Sequence, residues 1–95
     1  MIKSFACKDT EALFMGNGCC KKFRAFREQA ERKLQMLHSA ERVEDLRMPP
    51  GNRLETLGGK LDGRWSIRIN RQQRLVFEWD EETCNATEVY IDDYH

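Results

Sequence analysis

Trp65-Ser66-Ile67-Arg68-Ile69-Asn70-Arg71-Gln72-Gln73-Arg74-Leu75-Val76-Phe77-Glu78-Trp79 is the stretch that decides the fold. Trp65, Ile67 and Ile69 alternate with Ser66, Arg68 and Asn70, and Leu75, Phe77 and Trp79 alternate with Arg74, Val76 and Glu78. A period of two is that of a strand with one buried face. The short polar connection Asn70–Gln73 makes the two strands an antiparallel hairpin. Upstream, Arg53 to Leu57 reads as a strand that ends at Gly58-Gly59. Downstream, Thr87 to Asp92 reads as another, with Val89 and Ile91 inward and Glu88, Tyr90 and Asp92 outward. The pattern predicts a second, open sheet face carrying Ser66, Arg68 and Arg74, with Arg64 near the strand start and Lys60 on the loop before it.

The amino-terminal half has a different period. Ile2-Lys3-Ser4-Phe5 alternates like a short strand, and Asp9 or Thr10 can cap a helix through Glu11–Phe14 that Gly16-Asn17-Gly18 stops. Phe23, Phe26, Ala30, Leu34 and Leu37 recur at threes and fours, which predicts a helix from about Lys22 to Ser39 with one buried stripe. Glu28 and Arg32 are spaced to pair on its outer side. Val43–Leu46 reads as one helical turn, and Met48-Pro49-Pro50-Gly51 breaks any helix, because proline lacks an amide donor. The order β-α-α-β-β-β(-β) predicts an α+β fold: two helices on one face of a small, mainly antiparallel sheet. The 95 residues are expected to form one domain, 1–95.

Composition narrows the function. Hydrophobic residues are 40% of the chain and charged residues 34%, as in a globular domain with a charged surface. No apolar run approaches the roughly 20 residues of a membrane span, and Met1-Ile2-Lys3-Ser4 has no signal-peptide core. A cytoplasmic address and no membrane partner are therefore expected. The net charge is zero, which argues against a general nucleic-acid coat protein, but the charges are segregated. All 16 Lys and Arg lie within residues 1–74 alongside nine acids, a net of +7; the remaining residues carry seven acids and no base. Either a basic surface meets an anion, or both sets are simply solvated. Cys7, Cys19, Cys20 and Cys84 form no C-x-x-C pair or zinc spacing, so thiols and no bound metal are expected.

Two histidines restrict proton-transfer chemistry near neutral pH. His38 ends the long helix, where a cation suits the dipole. His95 follows Asp93-Tyr94, and a carboxylate, a phenol and an imidazole together can orient and move a proton. With Arg68 and Arg74 on neighbouring strands to hold phosphate, the set suits RNA cleavage by attack of a 2′-hydroxyl on the adjacent phosphorus. No nucleotide fingerprint, phosphate loop or Ser-His-Asp arrangement is present, and no cofactor is expected.

Met1-Ile2-Lys3-Ser4-Phe5, Pro49-Pro50-Gly51-Asn52-Arg53-Leu54-Glu55, Gly63-Arg64-Trp65-Ser66-Ile67-Arg68, Arg74-Leu75-Val76-Phe77 and Asp93-Tyr94-His95 together resemble the HigB-type toxins of the RelE/ParE superfamily, the "killer" halves of toxin–antitoxin pairs. The likeness covers essentially the whole chain. It implies a RelE-like fold and metal-independent cleavage of mRNA in the ribosomal A site. It also implies inhibition by a helix-turn-helix, HigA-type antitoxin, with DNA reached only through that antitoxin. The family's catalytic arginine maps to Arg74, and its terminal acid, tyrosine and histidine map to Asp93, Tyr94 and His95. Some members carry a histidine and a lysine where this chain has Glu55 and Gly58, so Lys60 is the cation expected there. Arg53, Lys60, Arg64 and Arg68 are expected to bind messenger or ribosomal backbone. The alternative is a catalytically attenuated module of the same fold that binds RNA, the ribosome or the antitoxin.

Overall fold

The computed structural model describes residues 1–58 and 63–93. The hairpin forms as the alternation predicts. Strands β1 (Glu55–Leu57), β2 (Arg64–Arg68), β3 (Gln73–Asp80) and β4 (Asn85–Asp93) make one antiparallel sheet in the order β1-β2-β3-β4. Ile67, Leu75, Phe77, Ala86 and Val89 are buried on the helix-covered face. Leu75 pairs with Ile91 and Trp79 with Ala86, so β4 holds one more residue than β3 between these pairs. Glu88, at φ 52, marks that bulge. The extra residue lets Ala86 and Val89, three apart, turn to the same face.

Helix α1 (Lys8–Met15) ends at Gly16, whose φ of 76 lets its N–H and that of Asn17 return to the carbonyls of Leu13 and Ala12. The long helix differs from expectation: a 3-10 segment, Lys21–Phe26, precedes α2 (Arg27–Ser39). Phe26 takes φ −128 and ψ 25, outside the helical region, and this bend keeps Phe23, Phe26, Ala30, Leu34 and Leu37 all buried. On the outer side of α2 the ion pair joins Arg27 to Glu31 at 3.4 Å rather than Glu28 to Arg32. Residues 43–47 form the expected short turn and bury Val43 and Leu46. Among the described residues, no helix is long and apolar enough to cross a membrane.

Ile2 and Phe5 do not sit in a regular strand. They form isolated parallel bridges to Ala86 and Val89, and backbone hydrogen bonds of Met1, Lys3, Ser4 and Ala6 line the outer edge of β4. His38 is used differently from the expected helix cap: its Nδ1 accepts the Ile2 N–H at 3.2 Å, and its ring lies 5.2 Å from that of Phe14.

A second tie sits at the other side of the sheet. Asn52, fully buried, donates to the carbonyls of Leu46 and Met48 and accepts from Lys33 of α2. Burial, followed by the neighbouring Arg32, holds the Lys33 ammonium below its ordinary pKa. Just past this tie the chain turns through Arg53, at φ 46, into the short β1; the strand thus starts two residues later than the alternation suggests.

Candidate functional site

Ser66 and Arg74 lie on the sheet face away from the helices, as predicted, but that face is not open. Ser66 is 0% exposed, Val76 2% and Arg74 6%. The cause is the turn after Asn52, which lays backbone over the sheet. Arg74 Nη2 donates to the Arg53 carbonyl at 2.6 Å and to the Ser66 carbonyl at 3.3 Å, while Nε donates to Ser66 Oγ at 2.8 Å. The Glu55 carboxylate lies 3.8 Å from Nη2. Neither Glu78 nor Asp92 pairs with Arg74 among the described residues. One edge of the guanidinium is thus fixed by the protein, and Nη1 carries none of these bonds. Arg53 reaches this geometry in the left-handed region, a strained conformation for arginine that occurs where backbone must be aimed.

Arg74 opens onto a recess of about 160 Å³ lined by Arg53, Glu55, Arg68, Asn70, Arg71 and Arg74. Four arginines and one glutamate line it. Arg68 stands directly opposite Arg74 across the strands and is braced by its Nε on the Asn70 carbonyl at 3.1 Å. Asn70 Oδ1 in turn accepts the N–H groups of Gln72 and Gln73, each at 2.8 Å, which shapes the β2–β3 turn that carries Arg71. An arrangement of planar, bidentate donors around a polar hollow suits a phosphate group.

Asp93 lies elsewhere. Asp92 is the residue opposite Arg74, whereas Asp93 pairs with Gln73 and accepts its Nε2 at 3.0 Å on the helix-side face. There it borders a small hollow with Lys22, Phe23, Phe26 and Ile91. Arg74 and Asp93 therefore occupy opposite faces of the sheet, because adjacent strand residues point apart. Arg64 is on the Arg74 face, beside Tyr90 rather than in the recess. Lys60, Tyr94 and His95 lie outside the described residues. Glu55, Asn70 and Arg71 were not singled out as site residues from sequence; the polar turn Asn70-Arg71-Gln72 next to Arg68 and Arg74 was the available signal. All four cysteines are free and half-buried. Cys7 precedes α1; burial would raise its thiol pKa, but hydrogen bonds from Thr10 and the Asp9 backbone lower it on balance.

A family model described as a RelE-like toxin of the type II toxin–antitoxin system HigB matches residues 3–95. Over 61 residues the chain is 49% identical to Toxin HigB-1 of Vibrio cholerae, a stretch that covers 64% of this chain and 62% of that toxin's length. Two solved structures share the fold at low identity. One is a YoeB/ParE toxin from Agrobacterium tumefaciens, with TM-score 0.57, 16% identity and coverage of 100% and 99% of the two chains. The other is from a YoeB-YefM complex of Staphylococcus aureus, with TM-score 0.52, 20% identity and coverage of 100% and 98%.

Proposed function

This chain belongs to the HigB-like family of RelE-like toxins of type II toxin–antitoxin systems, and from that membership we propose that it is a ribosome-dependent, metal-independent endoribonuclease that cleaves mRNA in the A site and so stops translation. The observation that carries the proposal is the recess where Arg53, Arg68, Arg71 and Arg74 converge. A scissile phosphate there has its negative charge met by fixed guanidiniums as that charge builds, which is where such donors lower a barrier. The 2′-oxygen attacks phosphorus, the 5′-oxygen leaves, and a 2′,3′-cyclic phosphate remains.

Arg74, held on one edge, presents its other edge to phosphate. His95 transfers the proton, and Tyr94 stacks on a base or relays that proton. Asp93, hydrogen-bonded by Gln73 on the far face, acts by fixing the chain that leads to them. Lys60, Arg53, Arg64 and Arg68 hold messenger or ribosomal backbone. A site with so few proton-transfer groups relies on the ribosome to bend the message for in-line attack. The single domain works in the cytoplasm and is held in check by a HigA-type helix-turn-helix antitoxin, through which alone it meets DNA.

Primer extension on translating ribosomes tests this. Wild-type protein is expected to give discrete cuts within A-site codons, and a chain lacking His95 to give none at equal thermal stability. Intact message beside firm ribosome binding would instead identify a binding module.

A further inference from the structure

Arg64 and Tyr90 form a pair that the phosphate recess does not use. The Arg64 guanidinium carbon lies 5.8 Å from the Tyr90 ring centroid, and Nη1 approaches the phenol oxygen at 3.4 Å. Both side chains are half-buried. Val76 pairs with Ser66 on one side and Tyr90 on the other and is 2% exposed, so Tyr90 stands beside a buried apolar residue in the centre of the sheet. The next cross-strand row on this face is Arg68, Arg74 and Asp92. Two residues along a strand span roughly 6.5–7 Å. This partly exposed arginine–tyrosine pair therefore stands about one nucleotide's reach from the arginine-lined recess.

We propose that Arg64 and Tyr90 form a nucleobase-stacking subsite for the nucleotide that flanks the phosphate held in the arginine recess. This rests on the RNA-cleavage reading of that recess. Single-stranded RNA is the occupant that fits, because planar faces next to concentrated positive charge match a base next to its phosphate. Aromatic residues on sheet faces stack unpaired bases in the same way in other RNA-binding sheets. Nη1 of Arg64 is directed at the Tyr90 phenol, so the arginine braces the ring and places a cation beside a stacked base.

The experiment uses the full chain and ribosomes programmed with messages that carry one abasic nucleotide at successive positions around the cut. Wild-type cleavage is expected to fall about 10- to 100-fold at one position and little elsewhere. Tyr90→Ala is expected to lose a similar factor on intact message and almost nothing more on that abasic message, while Tyr90→Phe stays near wild type. Tyr90→Leu, which still covers Val76, should behave as Tyr90→Ala if the ring is what matters. Arg64→Lys keeps the charge and the salt dependence of binding but should lose much of the abasic penalty. Additive losses from Tyr90→Leu and the abasic site at every position would overturn the subsite. So would variants that cleave normally but no longer bind the antitoxin, since the face would then be a protein interface. Failure of the wild-type protein to cut any message would remove the RNA-cleavage reading itself, and the subsite with it.

Discussion

Substituting Arg74 by alanine removes two things at once. The candidate phosphate ligand goes, and with it the hydrogen bonds that tie β3 to Ser66 and to the Arg53 carbonyl. Buried groups left without partners cost about 1–3 kcal/mol, enough to lower Tm by roughly 4–20 °C in a domain of this size. Arg74→Ala is therefore expected to lose cleavage by ~100- to 1,000-fold and to melt early, so its inactivity alone assigns no role. Arg74→Lys keeps the charge but not the fork; calorimetry beside single-turnover cleavage separates the two effects. The same residue shows how much of the site was legible. Alternation placed Arg68, Ser66 and Arg74 on one face, because period two is a property of adjacent residues. It did not place Glu55 beside Arg74, nor cover the face with Arg53, since a turn that folds back over a sheet leaves no periodic signature. The terminal motif runs Asp93, Tyr94 and His95 together in sequence, whereas the pleat turns Asp93 away from the Arg74 face.

Within the elements, β4 carries the most local tension. Glu88 occupies the left-handed region that a non-glycine residue pays about 1 kcal/mol to enter, and its N–H donates to Ser4 Oγ at 2.9 Å. Glu88→Gly is expected to leave stability within about 0.5 kcal/mol of wild type, because relieved strain is offset by glycine's larger loss of backbone freedom, while Glu88→Val should lower the urea midpoint at unchanged slope. The β3–β4 turn is tuned by charge. Asp80 is held below its ordinary pKa by the Glu82 N–H, at 2.9 Å, and then by the Thr83 side chain. A carboxylate with a lowered folded pKa adds stability above its unfolded value and loses it as pH falls through the folded one. Asp80→Asn should therefore flatten the acid side of the stability–pH curve, below about pH 4, without changing function. Both strands of the hairpin, the buried stripe and the short helix were legible because burial imposes period on sequence. The bend at Phe26, the bulge at Glu88 and the parallel bridges of Ile2 and Phe5 were not, since each answers a partner distant in sequence.

Across the whole molecule, the segregated charges become a spatial statement. Arg53, Arg68, Arg71 and Arg74 meet in one recess, whereas Asp80, Glu81 and Glu82 crowd the opposite end of the β3–β4 hairpin. Attraction to a polyanion released from its counterions weakens linearly in log salt, with a slope near the number of phosphates met. Arg68→Glu combined with Arg71→Glu is expected to reduce the salt slope of ribosome binding by about 2 while leaving Tm nearly unchanged. An unchanged slope in filter binding would mean that these guanidiniums are merely solvated.

The first six residues have one further consequence. Their backbone groups occupy the outer edge of β4, with Met1, Lys3, Ser4 and Ala6 each making a bond to Ala86 or Val89. An uncovered strand of that length offers a row of unpaired donors and acceptors to any other chain that is also bare there. The amino-terminal segment thus covers part of that edge. Loosening it, by deletion or by a bulky fusion that prises Ile2 from His38, would expose the protein to strand-by-strand aggregation before its core had melted.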